Sequence, residues 1–282
     1  MRRAAATLPK QSLEAERFRA MCVVASENDV MKVAAYQSPL LRGGSMAAVE
    51  LVRERVQWCE SENVNILCCP EGVIGGLADY APQPSDFALE VEGGQLGKVL
   101  EPLASNAVTT IVGFTEIAAS RRLYNAAAVF EKGVVIGIYR KLHPAINKSV
   151  YEAGGEAPVF TVDGLTFGIV ICNDSNFPEP AKTMAAKGAT ALFVPTNNGL
   201  PPSRASAELV SEARSVDAAR ATENKVWVIR ADVAGRSDEL VSYGSSHIID
   251  PDGMVVQSAR ELRDDLIVAE IKIALPATRE RR

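Results

Sequence analysis

The hydrophobic pattern starts late. Residues 1–30 carry no apolar period and read as a loosely ordered arm ahead of a single domain over 31–282. Val33-Ala34-Ala35-Tyr36 then reads as a short strand. Ala47 to Cys59 places Val49, Val52, Val56 and Cys59 at spacings of three and four, the period of an amphipathic helix. Asn65 to Cys69 is a continuous apolar run stopped by Pro70, the form of a strand buried on both faces. A helix is predicted over Gly94–Asn106 and a strand over Thr109–Phe114. Ala126–Phe130 and Val134–Tyr139 flank Glu131-Lys132-Gly133 as a hairpin.

Pro158–Val162 and Leu165–Cys172 flank Asp163-Gly164, two residues that tolerate the positive φ of a type I′ turn. Beyond them come a helix over Pro180–Lys187, a strand over Thr190–Val194, a helix over Ser206–Thr222 and a strand over Val226–Ala231. In the longer helix Leu209, Ala213, Val216 and Arg220 share one side, which is expected to pack on a sheet. A last hairpin turns at Asp250-Pro251-Asp252-Gly253. Strands alternating with helices, with hairpins between, specify an α/β class with mixed sheets.

Composition narrows the function classes. With 47% hydrophobic and 23% charged residues, the 282-residue chain has the make-up of an ordinary folded protein. A net charge of −5 disfavours a nucleic-acid partner, whose binding draws on neutralised phosphates. No apolar run approaches the roughly 20 residues needed to span a bilayer, so no membrane partner is expected. Five cysteines without a CxxC pair, and an N-terminal segment with no apolar core of a signal peptide, read as a reduced, cytoplasmic protein.

The chain has two histidines, His143 and His247, and neither sits in a ligand set with metal spacing, so no metal is expected. It has no GxSxG elbow, phosphate loop or GxGxxG fingerprint, and no cofactor is expected. What stands out is chemistry at strand ends, where binding crevices of α/β sheets form. Glu71 follows the run ending Cys68-Cys69-Pro70, Lys141 follows Ile138-Tyr139-Arg140, and Cys172 follows Gly168 to Ile171. A carboxylate can take a thiol proton, the thiolate can attack a carbonyl carbon, and an ammonium can hold the oxyanion. That set is sufficient for acyl transfer. Each residue also has a plainer reading: Cys172 as one more buried cysteine, Glu71 as a turn residue, Lys141 as an exposed charge.

The flanking segments separate these readings. "CCPEG" around Glu71, "IYRKLHP" around Lys141 and "GIVICNDSNFPE" around Cys172 resemble, in that order, the three signature segments of the nitrilase or carbon-nitrogen hydrolase superfamily. The resemblance runs from about Met31 to Ile273 and includes "VGFTE", "YNAA", "ARATEN" and "YGSSHIIDPDG". It implies a four-layer αββα sandwich and a catalytic triad of Glu71, Lys141 and Cys172. It also implies an oxyanion hole completed by the N–H of Asn173, no cofactor, and assembly as a homodimer or larger homo-oligomer.

Within that superfamily, nitrilases typically carry Cys-Trp-Glu at the nucleophile, whereas this chain has Cys172-Asn173-Asp174. The expectation is an amidase-like hydrolase of a small linear amide, working through an acyl thioester and releasing ammonia or amine. Alternatives are an N-carbamoyl amine hydrolase or a nitrilase with the same triad, or a non-catalytic binding or scaffold protein on the same fold. Many amidase-like members place a second glutamate shortly after the lysine, and this chain has no acid between Lys141 and Val150. Asn147 is taken as the matching position, with Glu152 as its substitute. Asn197 is a candidate substrate contact, and Asp174, Phe177, Thr196 and Asn198 either line the pocket or serve loop turns. Asp232 stands where relatives often have asparagine, and His143 reads as a structural histidine.

Overall fold

The computed structural model of the chain describes residues 30–41, 45, 47–237 and 239–273. The arm expected over 1–30 lies, but for Val30, outside the described residues. The layers follow from the alternation of side chains along β1 (Val30–Pro39). Met31, Val33 and Ala35 turn into one apolar core, and Ala34 and Tyr36 into another on the opposite face. A strand buried on both sides must be sandwiched.

On one side of β1 lies α1 (Ala47–Ser61), which buries Ala48, Val52, Val56 and Cys59, the period read from the sequence. On the other side lies a second sheet. The first sheet joins β1 to β2 (Ile66–Cys68), β3 (Thr109–Ile117), β4 (Leu123–Glu131) and β5 (Val134–Arg140). It also contains β10 (Val233–Arg236), β11 (Val241–Ser242) and β14 (Asp265–Lys272). Its order is β11-β10-β1-β2-β3-β4-β5, with β14 also paired to β1. The second sheet is built from β6 (Val159–Val162), β7 (Leu165–Ile169), β8 (Ala191–Pro195), β9 (Trp227–Ala231), β12 (His247–Ile249) and β13 (Val255–Ser258). Its order is β13-β12-β9-β8-β7-β6.

The facing surfaces share one core, in which Val33, Ile66, Ile111 and Val129 of the first sheet meet Phe167, Phe193, Ile229 and Ile248 of the second. Each such side chain taken out of water contributes roughly 1.5–3 kcal/mol. Outside the second sheet, α3 (Pro178–Ala186) packs on β7 and α4 (Glu208–Asn224) on β9 and β12. The result is the αββα sandwich. Among the described residues no helix is long and apolar enough to cross a membrane.

The predicted hairpins are present: β4 with β5, β6 with β7 and β12 with β13 pair antiparallel. Asp163 and Gly164 both take positive φ, at 46° and 90°. Two expectations change. The helix predicted over Gly94–Asn106 is α2 (Gln95–Leu100) followed by a single 3-10 turn, Glu101–Leu103. Pro102 stands in that turn, and its missing N–H and its ring oppose continuation of the α-helix. The inward side of α4 is also shifted. Leu209, Ala213 and Val216 are half-buried, while Val210, Asp217, Arg220 and Ala221 are buried. A buried ion pair described below, rather than an apolar stripe, decides how this helix sits.

Candidate active site

The carboxyl ends of β2, β5, β7 and β8 open toward one another. Pro70 cannot continue β2, so the chain turns after Cys69 and delivers Glu71 to the crevice. The neighbouring strand gives way at Gly113, where an added Cβ would lie 2.8 Å from Glu71 Cα. Only glycine lets β3 approach this corner so closely. Gly113→Ala is therefore expected to destabilise the chain by about 1–3 kcal/mol, as overpacking does, and denaturant unfolding measures it.

Glu71 is buried and fully engaged. Its Oε1 accepts from Lys141 Nζ at 2.6 Å and from Asn125 Nδ2 at 2.7 Å, and its Oε2 accepts from the Asn197 N–H at 3.0 Å. The backbone is held as well, with the Glu71 N–H donating to Thr196 O at 3.2 Å. Lys141 sits at the end of β5, where its N–H donates to Asn125 O and its carbonyl accepts from the Gly154 N–H, both at 2.8 Å. Burial alone would lower the ammonium pKa, but Glu71 outweighs it and holds Lys141 above the usual lysine range. The ammonium faces the Glu71 carboxylate at 2.6 Å.

Cys172 follows β7 at the start of a 3-10 turn, Cys172–Asn176, with φ at 46°. A side chain in this left-handed region is strained and is kept there by its surroundings. Asp174 supplies the restraint: its Oδ2 accepts from the Ile171 N–H at 3.0 Å and Tyr139 OH at 2.7 Å, and its Oδ1 from the His143 N–H at 2.7 Å. Ser175 Oγ donates to Cys172 O at 2.8 Å. Asn173 occupies the first turn, where backbone N–H groups have no acceptor within the helix. Burial pushes the Cys172 thiol up to about 12, Glu71 adds to the rise, and Lys141 and Arg230 oppose it. The resting thiol is protonated, beside a carboxylate that can receive the proton.

The structure thus joins Glu71, Lys141 and Asn197 in one hydrogen-bonded cluster, with Cys172, and Asn173 after it, within electrostatic reach of the Glu71–Lys141 pair. Asn147 is not part of it and stands exposed, as does Glu152. The contact in that loop is made by Ser149 Oγ and the Val150 N–H, which donate to Asp79 at 3.0 and 2.8 Å. Asp174, Thr196 and Asn198 serve the turns: Thr196 and Asn198 are bonded to Arg230 and Asp232. Phe177 stacks on His143 with ring centroids 3.8 Å apart. Asp232 accepts at Oδ1 from the Asn198 and Val233 N–H groups, and at Oδ2 from Asn198 Nδ2 and from the N–H and hydroxyl of Ser245.

A cavity of about 220 Å³ is lined by Cys172 and Asn173 together with Asn198, Glu212 and Arg230. Larger cavities of about 620 and 680 Å³ contain none of Glu71, Lys141 and Cys172. The 220 Å³ cavity reaches Cys172 but not Glu71 or Lys141, and Asn197 lines another of about 100 Å³.

Residues 32–279 match the carbon-nitrogen hydrolase family profile. The chain belongs to the carbon-nitrogen hydrolase family. A nitrilase from Pyrococcus abyssi is 31% identical over 67% of this hydrolase and 70% of the relative. A deaminated glutathione amidase from Escherichia coli O157:H7 is 27% identical over 82% and 90%. Among solved structures, a Nesterenkonia AN1 amidase from the nitrilase superfamily superposes with a TM-score of 0.74 at 20% identity, covering 88% of this chain and 93% of that one.

Sequence reasoning missed two residues of the hydrolase's crevice. Asn125 bridges Glu71 to the Lys141 backbone, and its Oδ1 is buried without a partner. The signal was an amide at the head of the apolar run Ala126–Phe130. Arg230 was the second, a guanidinium in the otherwise apolar strand β9.

Proposed function

We propose that this carbon-nitrogen hydrolase cleaves a small linear amide through a thioester on Cys172. The reading rests on the buried Glu71–Lys141 pair, 2.6 Å apart, beside the strained turn that presents the thiol. As Sγ attacks the amide carbon, its proton passes to Glu71. Lys141 Nζ and the Asn173 N–H hold the oxyanion. Glu71 then protonates the leaving nitrogen, ammonia or amine departs, and the acyl thioester remains. Glu71 next takes a proton from water, whose oxygen attacks the thioester, and the thiol returns as the acid leaves.

Glu71 is suited to both proton transfers because its partners use three acceptor positions of a carboxylate that offers about four. Asp174 is consumed by its three hydrogen bonds and offers no free acid beside the nucleophile. An amide rather than a nitrile is favoured by Asn173-Asp174 in place of Trp-Glu.

The test is ammonia release from a panel of small amides, ω-amides, carbamoyl amines and nitriles, with intact-mass detection of an acyl adduct. Release from amides with an adduct on Cys172 is the expected result. Release from nitriles alone, or an adduct elsewhere, overturns it. With a substrate in hand, Lys141→Ala is expected to lower kcat about 10²-fold or more, the usual loss for one oxyanion donor.

A further inference from the structure

Arg230 is a cation buried next to the nucleophile, and the steps above do not use it. Its guanidinium is gripped by Asp217 of α4, with Nε donating to Oδ2 at 2.6 Å and Nη2 to Oδ1 at 2.7 Å. Asp217 also accepts from His247 Nε2 at 2.8 Å. Burial lowers the His247 pKa, so the imidazole is neutral and donates. Arg230 and His247 hold Asp217 well below the usual carboxylate range against the cost of burying it.

The remaining N–H groups reach both halves of the crevice. Nη2 donates to Ser175 Oγ at 2.9 Å, and that hydroxyl donates to the carbonyl of Cys172. Nη1 donates to Thr196 Oγ1 at 2.7 Å, while Thr196 O accepts from the Glu71 N–H and the next residue, Asn197, donates to the Glu71 carboxylate. Arg230 also lines the 220 Å³ cavity with Cys172. Arg230 makes four hydrogen bonds, two of them a fork on the carboxylate, and an ammonium has only three N–H groups.

We propose that Arg230 is a positioning residue of the hydrolytic site: locked by Asp217, it ties the Cys172 turn to the Thr196–Asn197 segment that holds Glu71, and keeps a fixed positive charge behind the thiol. The inference rests on the proposed amide hydrolysis for its kinetic readout, but not for its effect on the thiol. Glu71, Lys141, Arg230 and Asp232 act on Cys172, Glu212 lines the cavity beside it, and Asp217 is paired to Arg230. Removing Arg230 takes away one of the two cations that oppose the rise of the thiol pKa, so less thiolate forms at a given pH. A loosened turn would do the reverse and expose the sulfur.

The experiment uses the full chain as wild type, Arg230→Lys, and Arg230→Met with Asp217→Leu, a pair chosen so that no buried carboxylate is stranded. Alkylation of Cys172 by iodoacetamide is followed by peptide mass spectrometry between pH 7 and 9, beside kcat and KM for amide hydrolysis. In the double variant the alkylation rate is expected to fall at least about threefold at every pH, and kcat about tenfold at similar KM. Arg230→Lys should keep the wild-type alkylation rate and still lose kcat, since the charge is kept and the fork is not. A double variant that alkylates no more slowly than wild type overturns the fixed charge behind the thiol, and an unchanged kcat in Arg230→Lys overturns the tie between the turn and the Glu71 segment. If the wild type hydrolyses no amide while the alkylation rates move as stated, the hydrolysis reading fails and the control of the thiol by Arg230 stands.

Discussion

Cys172→Ala is expected to lower amide hydrolysis by at least about 10³-fold with little change in stability. In the proposed reaction Sγ forms and breaks the bond to the acyl group, and no other described cysteine can replace it. Cys59, Cys68 and Cys69 are buried in the apolar layers, with their thiols pushed up by burial. Removal of a nucleophile from an acting unit costs more than removal of a group that assists it. The substitution leaves the Glu71–Lys141 pair and the Asp174 restraint in place, so unfolding should shift by no more than about 1 kcal/mol. Ammonia release and denaturant unfolding on the same preparation check both halves. A residual rate within tenfold of wild type would remove Cys172 from the reaction.

Glu71→Gln should be nearly as damaging to activity and far more damaging to the fold. The shape is kept and the proton acceptor is lost, which for general-base catalysis is worth about 10²–10⁴-fold in kcat. The neutral amide also leaves the Lys141 ammonium buried without its counter-charge, and breaking such a pair costs about 3–5 kcal/mol. The pH dependence has a definite sign. Lys141 has a folded-state pKa above its unfolded value of about 10.4, so its stabilisation is complete below that pH and is lost as pH rises further. The variant's deficit should therefore be largest at neutral pH and narrow in strong alkali. Unfolding titrations at pH 7 and at about pH 12 measure it, and an equal deficit at both would assign the loss to packing instead.

Local rules carried much of this. The pleat alternation of β1, the period of α1, the Pro70 stop and the Asp163-Gly164 turn were legible because each depends on near neighbours in the chain. Glu71, Lys141 and Cys172 were legible because polar residues at the ends of apolar strands have few structural uses and because their flanking segments match known signatures. What was hidden depends on contacts distant in sequence. Asp217 and Arg230 look unfavourable in an inward helix face and a buried strand until they are seen together, 13 residues apart. Asn125 looks like a strand-end amide until Glu71 is placed against it. The shift of the α4 face has the same cause, since a periodicity argument counts apolar residues and cannot see a charge partner.

The two sheets divide the chemistry between them. Glu71, Lys141 and Asn125 belong to the first, whereas Cys172 and Asn197 come from the second. Neither sheet by itself holds both the proposed base and the proposed nucleophile, and the Glu71 carboxylate takes its Asn197 hydrogen bond only across the seam. In the proposed reaction, catalytic competence is therefore a property of docking. Turnover can then serve as a gauge of intact sheet-on-sheet contact.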